Sequence, residues 1–229
     1  MSDPKILIGC PTSFHKEYSL EEYTKAIKQL TYPNFDILLV DNSKDNNYKK
    51  KIESYNIPVI KGPWFESARD RIIASRNILR QKALDEGYDY FFSLEQDVLP
   101  PPDILENFLE HKKRIITAIY FNTLTKGKET RFLPLIWTKI DKDLRYILKP
   151  SELNKGLKQI AISGLGCILI HKTILSKVKF RYEPKESAFD DVYFSLDCKK
   201  NKFSFYVDTN IVCKHLIKNR PWDWNDIKN

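Results

Sequence analysis

The apolar residues of this chain come in short, nearly continuous runs, and stretches with helical spacing separate them. Residues 5–10 (KILIGC), 35–40 (FDILLV) and 58–61 are the first three runs. Their length and flanking turns predict strands, and near-continuous apolarity suits strands buried on both faces. Between the first two, Ser19 and Glu22 have capping-box spacing, with Ser19 as N-cap of an amphipathic helix reaching about Leu30. A lysine-rich helix is expected over 46–55. The resulting β-α-β-α-β order predicts an α/β fold with a doubly wound, mostly parallel sheet flanked by helices. Right-handed crossovers then gather the loops after the strands, at Pro11, Asp41 and Glu95, along one edge.

A long helix is expected over 66–86, with Ala68, Ile72, Leu79 and Ala83 as its apolar positions. Arg69 and Arg76 lie seven apart and share a helix face. The aromatic run 88–94 predicts a central strand that ends near Val98, because the prolines at 100–102 remove ladder donors. Beyond it come a helix over 101–112 and a strand over 115–121. Residues 122–158 are polar and basic, with one apolar stretch at 132–137, and predict an irregular insertion of the kind that shapes substrate choice. Order returns at Ile160 with a strand, a glycine turn at 163–166, a second strand and a helix from about Lys172. A helix from Asp190 to about Lys200 and strands over 203–209 and 211–214 lead to His215. The tail carries Lys218, Arg220, Trp222 and Trp224.

Composition narrows the class. With 229 residues, 42% hydrophobic and 13% aromatic, the chain can bury a substantial core. No apolar run approaches the length of a membrane span, and residues 1–9 are too short and charged for a signal peptide, so a soluble, cytoplasmic protein is expected. Cys10, Cys167, Cys198 and Cys213 lack metal-binding spacing and are expected as reduced core thiols. The net charge of +8 suits an anionic partner. Because the lysines are dispersed and no nucleic-acid-binding motif is present, no nucleic acid is expected; peripheral contact with an anionic membrane stays compatible with the charge.

The candidate chemistry centres on Glu95-Gln96-Asp97. In extended backbone the Glu95 and Asp97 carboxylates project from the same side, where an open α/β sheet keeps its ligand. Two like charges there call for a hard divalent cation, Mg²⁺ or Mn²⁺, shared with phosphate oxygens.

Six motifs in a fixed order carry a resemblance. Asp41-Asn42-Ser43 is similar to a D-D-G-S-like strand end, Ser75-Arg76-Asn77 to an A-R-N helix, and Glu95-Gln96-Asp97 to a D-x-D strand end. The turn at 163–166 is similar to S-G-G, Asp190-Asp191 to an E-D helix start, and His215 to a late histidine. Together they resemble the GT-A nucleotide-sugar glycosyltransferases, family-2-like. The resemblance implies a single GT-A domain, with 1–99 as the nucleotide-sugar half, 100–215 as the acceptor and catalytic half, bearing a smaller sheet, and 216–229 as a tail closing over the site. It implies a hexosyltransferase that moves a sugar from a UDP- or GDP-linked donor to an acceptor hydroxyl on a glycan, protein or lipid-linked molecule, with inversion.

The same resemblance implies the site. Asp41 binds the base, with Pro11 and Thr12 lining its pocket. Arg69, Arg76, Asn77, Glu95, Gln96 and Gly164 lie beside the donor, and Lys218 or Arg220 covers its diphosphate. Asp97 and His215, with Glu95, hold Mn²⁺ or Mg²⁺. Asp191, or its neighbour Asp190, is the base. Two departures are visible, Glu95 where the family has Asp and Asp190 where it has Glu. The rival classes are a metal-dependent nucleotidyltransferase, which needs a Gly-rich loop where this chain has CPTSFH, and a non-catalytic glycan- or nucleic-acid-binding protein on the same fold.

Overall fold

A computed structural model of the chain describes residues 3–126, 129–141 and 144–217. The first half follows the predicted alternation: β1 (Ile6–Thr12), α1 (Leu20–Lys28), β2 (Phe35–Asp41), α2 (Asn47–Ser54), β3 (Val59–Lys61), α3 (Ala68–Asp85) and β4 (Tyr90–Leu94). Strands β3, β2, β1 and β4 lie side by side and are mutually parallel. Successive residues of β1 point to opposite sides: Ile6, Ile8 and Cys10 pack with Tyr23 and Ile27 of α1 and Ile52 of α2, while Leu7 packs with Leu79 and Ala83 of α3. The sheet is therefore covered by helices on both faces. That is why its strands are mostly apolar, with Asp36 of β2 as an exposed exception.

The second half comprises β5 (Val98–Leu99), α4 (Ile104–Glu110), β6 (Ile115–Ile119), β7 (Phe121–Lys126), β8 (Glu129–Pro134), β9 (Ile136–Asp141), β10 (Leu144–Ile147), β11 (Leu157–Ile160), β12 (Ile162–Ser163), β13 (Cys167–His171), α5 (Lys172–Leu175), α6 (Asp190–Lys200), β14 (Phe205–Val212) and β15 (Lys214–His215). The main sheet has eight strands in the order β11-β14-β6-β13-β4-β1-β2-β3. β13 runs antiparallel to both β4 and β6, so it seams the parallel first half to the second.

Four expectations need correcting. Residues 122–158 are not irregular: they form the β7–β8 hairpin, and a second hairpin, β9–β10, that β12 extends into a small three-stranded sheet. Ser19 makes no side-chain cap at α1; its hydroxyl donates to the Lys16 carbonyl at 2.8 Å and closes a 3-10 turn, Phe14–Ser19, that runs straight into the helix. The buried face of α3 is Ser75, Arg76, Leu79, Arg80 and Ala83, and Ala68 is exposed. That face is shifted because it accommodates buried arginines as well as apolar residues. Lastly, the two late strands are one, β14, whose pairing with β6 shifts register between Asp208 and Val212.

All four cysteines are buried and unbridged. Among the described residues no helix is long and apolar enough to cross a membrane.

Candidate functional site

The carboxyl ends of β1, β2 and β4 converge as the crossover rule requires. Thr12 pairs with Asp41 across β1 and β2, and the Thr12 hydroxyl donates to Gln96 Oε1 at 2.5 Å. Pro11 sits one register step back, opposite Val40. Asp41 is fully buried: one carboxylate oxygen accepts from the Ser43 amide at 2.9 Å and its hydroxyl at 2.6 Å, and the other meets Lys61 Nζ at 3.0 Å. A groove of about 350 Å³, lined by Phe14, Ser43, Lys44, Tyr48 and Lys51 among others, opens beside this turn. Gln96 is buried; its amide donates to the Lys16 carbonyl at 2.8 Å and to Tyr48 Oη at 2.7 Å. Its side chain ties the β1, α2 and β4 segments together rather than facing open space.

Asp97 follows, and a long-range strand pair makes its surroundings. β15 runs antiparallel to β5, pairing His215 with Val98, and the Leu216 amide donates to the Asp97 carbonyl at 2.7 Å. His215 Nε2 consequently lies 3.4 Å from Asp97 Oδ2. On the far side His215 Nδ1 meets the Phe121 carbonyl at 2.6 Å, a contact that places a proton on Nδ1 and turns Nε2 toward Asp97. The same Oδ2 accepts from Tyr18 Oη at 3.1 Å and from Lys16 Nζ. Oδ1 is buried and has no hydrogen-bond partner among the described residues. Burial opposes ionisation of Asp97, but His215 and Lys16 overcome it and hold the carboxyl well below the usual range. For His215 the balance goes the other way: burial would depress it, and Asp97 raises it above its ordinary value.

The third centre is Arg76. Its guanidinium is almost fully buried, donates to Ser93 Oγ at 2.8 Å and to Glu95 Oε1 at 3.2 Å, and brings Nε within 2.9 Å of Asp190 Oδ2. That last N–H is not aimed at the oxygen, so the contact is an ion pair rather than a hydrogen bond. Arg76 thereby yokes β4 to the start of α6. Asp190 is buried against it, and burial raises its pKa despite the arginine. Asp191, next along, is only partly buried; one of its oxygens accepts from the Val192 amide at 2.7 Å. Burial first and Asp190 second push its carboxyl up to about 6. A carboxylate with that value, one residue from an arginine-anchored partner, is suited to taking a proton near neutrality.

A protein-family model, described as Glycosyl transferase family 2, matches residues 12–179. The chain belongs to glycosyl transferase family 2. Among curated proteins no sequence matches it significantly. Solved structures share the GT-A fold. The chain superposes on S. aureus TarS in complex with UDP-GlcNAc with a TM-score of 0.62 at 13% identity, over 95% of this chain and 60% of that one. For GalNAc-T7 with UDP, GalNAc and Mn²⁺ the values are 0.67, 14%, 96% and 45%. For the mannosyltransferase PcManGT of Pyrobaculum calidifontis with GDP-Man and Mn²⁺ they are 0.61, 12%, 96% and 59%. The family 2 chain thus spans between about half and three fifths of the length of these structures.

Several expected donor contacts are engaged elsewhere. Arg69 donates to the carbonyls of Glu186 at 2.8 Å and Ser187 at 2.6 Å and lies over the rings of Tyr182 and Phe189, clamping the loop that leads into α6. Asn77 brackets Phe180, donating to its carbonyl at 2.8 Å and accepting from its amide at 3.1 Å. Gly164 is needed for packing: a Cβ there would come 2.1 Å from Tyr120 Oη, which itself accepts from the Gly166 amide at 2.8 Å. Tyr120 also packs edge-on against His215, linking the glycine turn to Asp97's partner. Gly164→Ala is therefore expected to cost about 1–3 kcal/mol by overpacking, measured as a lower denaturant midpoint. Lys218, Arg220, Trp222 and Trp224 lie outside the described residues.

Sequence reasoning missed Lys16, Tyr18, Tyr120 and Ser93. Lys16 is one of 38 basic residues and Tyr120 one of 12 tyrosines. Only their pairing across the fold distinguishes them.

Whether Asp97 and His215 suit a divalent cation can be tested on their own contacts. A buried carboxylate oxygen without a partner and an imidazole whose other nitrogen is tied to a carbonyl are both features of a ligand pair. Among the described residues no group of three or more His, Cys, Asp or Glu side chains is placed to hold a metal, so Glu95, whose carboxylate is turned to Arg76, does not join Asp97 and His215 as the third ligand expected from the sequence. A pair of that kind fits an ion that takes its remaining ligands from a diphosphate and water.

Proposed function

We propose that the chain transfers a hexose from a UDP- or GDP-linked donor to an acceptor hydroxyl, with inversion, using Mn²⁺ or Mg²⁺. The observation that carries the reading is the buried Asp97 carboxylate, with one oxygen unpartnered and His215 turned toward the other. Residues 1–99 would bind the donor and 100–215 the acceptor. Asp41, deep in its strand end, offers a carboxylate for the ring N–H of a uracil or guanine beside the groove at Ser43 and Lys44. Its oxygens are already met by Ser43 and Lys61, so a base N–H would have to take the place of the Lys61 contact to reach it.

Asp97 and His215 would hold the cation, which when bound offsets the charge that develops on the departing diphosphate, a contribution of several kcal/mol in comparable sites. Asp191 accepts the proton of the acceptor hydroxyl as its oxygen attacks the anomeric carbon and the bond from that carbon to the phosphate oxygen breaks. One displacement with one base inverts the centre. Asp190 does not serve as the base, because Arg76 and burial hold it in place; it positions its neighbour. Arg69 acts in the same way on the loop before α6.

Asp191 must be ionised to work, and its pKa lies near 6. Release of nucleoside diphosphate from a panel of UDP- and GDP-sugars with Mn²⁺ should therefore occur with one nucleotide series, fall tenfold for each pH unit below about 6, and level off above it. Release from neither series would sink the reading, and a rate that rises as pH falls through 6 would remove Asp191 as the base.

A further inference from the structure

The Lys16 contact is not explained by a two-ligand cation site. Lys16 lies in the 3-10 turn after β1, and its backbone is held firmly: its carbonyl accepts from Gln96 Nε2 at 2.8 Å and from Ser19 Oγ at 2.8 Å. Its side chain, by contrast, is about one third exposed and reaches Asp97 Oδ2 from the open side. Tyr18, from the same turn, shares its one hydroxyl proton between that oxygen and the Leu216 carbonyl, 2.9 Å away. One carboxylate thus faces an ammonium, a phenol and an imidazole. Its charge is already met.

A divalent ion and an ammonium cannot share one carboxylate oxygen without strong repulsion, since like charges a few ångströms apart in a partly buried site are poorly screened. The fixed backbone and long flexible stem give Lys16 a way out, because the head can withdraw while the turn stays in place. The destination follows from charge: the anion nearest an ion held on Asp97 would be the donor diphosphate.

We propose that the Lys16 ammonium is a stand-in cation, holding Asp97 in the metal-free protein, giving way to the divalent ion, and then pairing with the donor diphosphate. This rests on the functional reading above and adds to it that ion and nucleotide bind cooperatively through one lysine. By linkage, the ion must then strengthen nucleotide binding and the nucleotide must strengthen ion binding by the same factor.

The test is a titration of the intact protein with Mn²⁺ alone, followed by electron paramagnetic resonance of the free ion, in wild type, Lys16→Met and Lys16→Arg. Removing the competing charge should tighten Mn²⁺ binding in Lys16→Met by about fivefold or more, and Lys16→Arg, which keeps the charge, should resemble wild type. The same proteins are then titrated with UDP and GDP at saturating Mn²⁺, where Lys16→Met should bind several-fold more weakly. Unchanged or weaker Mn²⁺ binding in Lys16→Met, or equal tightening in Lys16→Arg, overturns the proposal. Circular dichroism confirms that each variant is folded, and Lys16→Gln replaces Lys16→Met if the latter is not. Because the first titration contains no nucleotide, failure of the donor reading, seen as no binding of UDP or GDP by wild type, is distinct from failure of the lysine exchange.

Discussion

Asp191→Asn is expected to lower transfer by about 10²- to 10⁴-fold while leaving donor binding intact. That range is what a positioned general base typically contributes. The substitution is nearly isosteric, and among the described residues the carboxylate's hydrogen bond is with the Val192 amide, from which an asparagine oxygen can also accept. The start of α6 is held instead by Asp190 on Arg76 and by Arg69 on the preceding carbonyls, so the neighbourhood should not move. The measurement is kcat alongside the Kd for the nucleoside diphosphate. A variant with near-wild-type turnover would remove Asp191 from the chemistry, whereas a variant that lost both turnover and binding would point to a structural role.

Arg76→Met should have the largest effect on stability. The guanidinium is buried with Glu95 on one side and Asp190 on the other, and taking away one member of a buried charge cluster typically costs about 3–5 kcal/mol because its partners are left uncompensated. In a domain of this size that corresponds to a fall in the unfolding midpoint of about 10 °C. The cost should lie mostly in the stranded carboxylates, so adding Asp190→Asn to Arg76→Met should recover part of it. If the double variant were as unstable as the sum of the two single ones, the three groups would not be acting as a cluster.

The way these residues sit explains what was legible in the sequence. Short apolar runs fixed by two-sided burial, such as 35–40, announce strands directly, and right-handed crossovers then bring Thr12, Asp41 and Glu95 to one edge without further information. The six-motif order carried the family. What stayed hidden depends on partners far along the chain. The hairpins β7–β8 and β9–β10 are short strands broken by polar and basic residues, with no clean alternation to mark them, so residues 122–158 read as a polar insertion. Ser19 satisfies a capping pattern, yet its hydroxyl closes the preceding turn, a competition between local hydrogen bonds that composition cannot decide. The resemblance places Arg69 and Arg76 beside the donor, but their contacts with the start of α6 and the loop before it are not legible in the sequence, where a surface arginine and a buried yoke look alike. Only the packing of α6 and its leading loop distinguishes them. His215 was found by its place in the motif order, but the Val98 pairing that aims it at Asp97, and the Lys16 ammonium already there, came from topology alone.

If Asp97 and His215 form the cation-dependent part of a nucleotide-sugar site, nucleotide binding must depend on both the ion and Asp97. The most direct test is thermal unfolding of the purified protein with UDP or GDP, each with and without Mn²⁺, in wild type and in Asp97→Asn. A ligand that binds only the folded state raises the midpoint by mass action, by about 2.7 kcal/mol of apparent stability at a hundred times its Kd. One of the two nucleotides should raise the midpoint by several degrees when Mn²⁺ is present, the rise should shrink without it, and Asp97→Asn should abolish the difference. No shift with either nucleotide under any condition, or a metal-dependent shift that survives in Asp97→Asn, would contradict that role for Asp97 and His215.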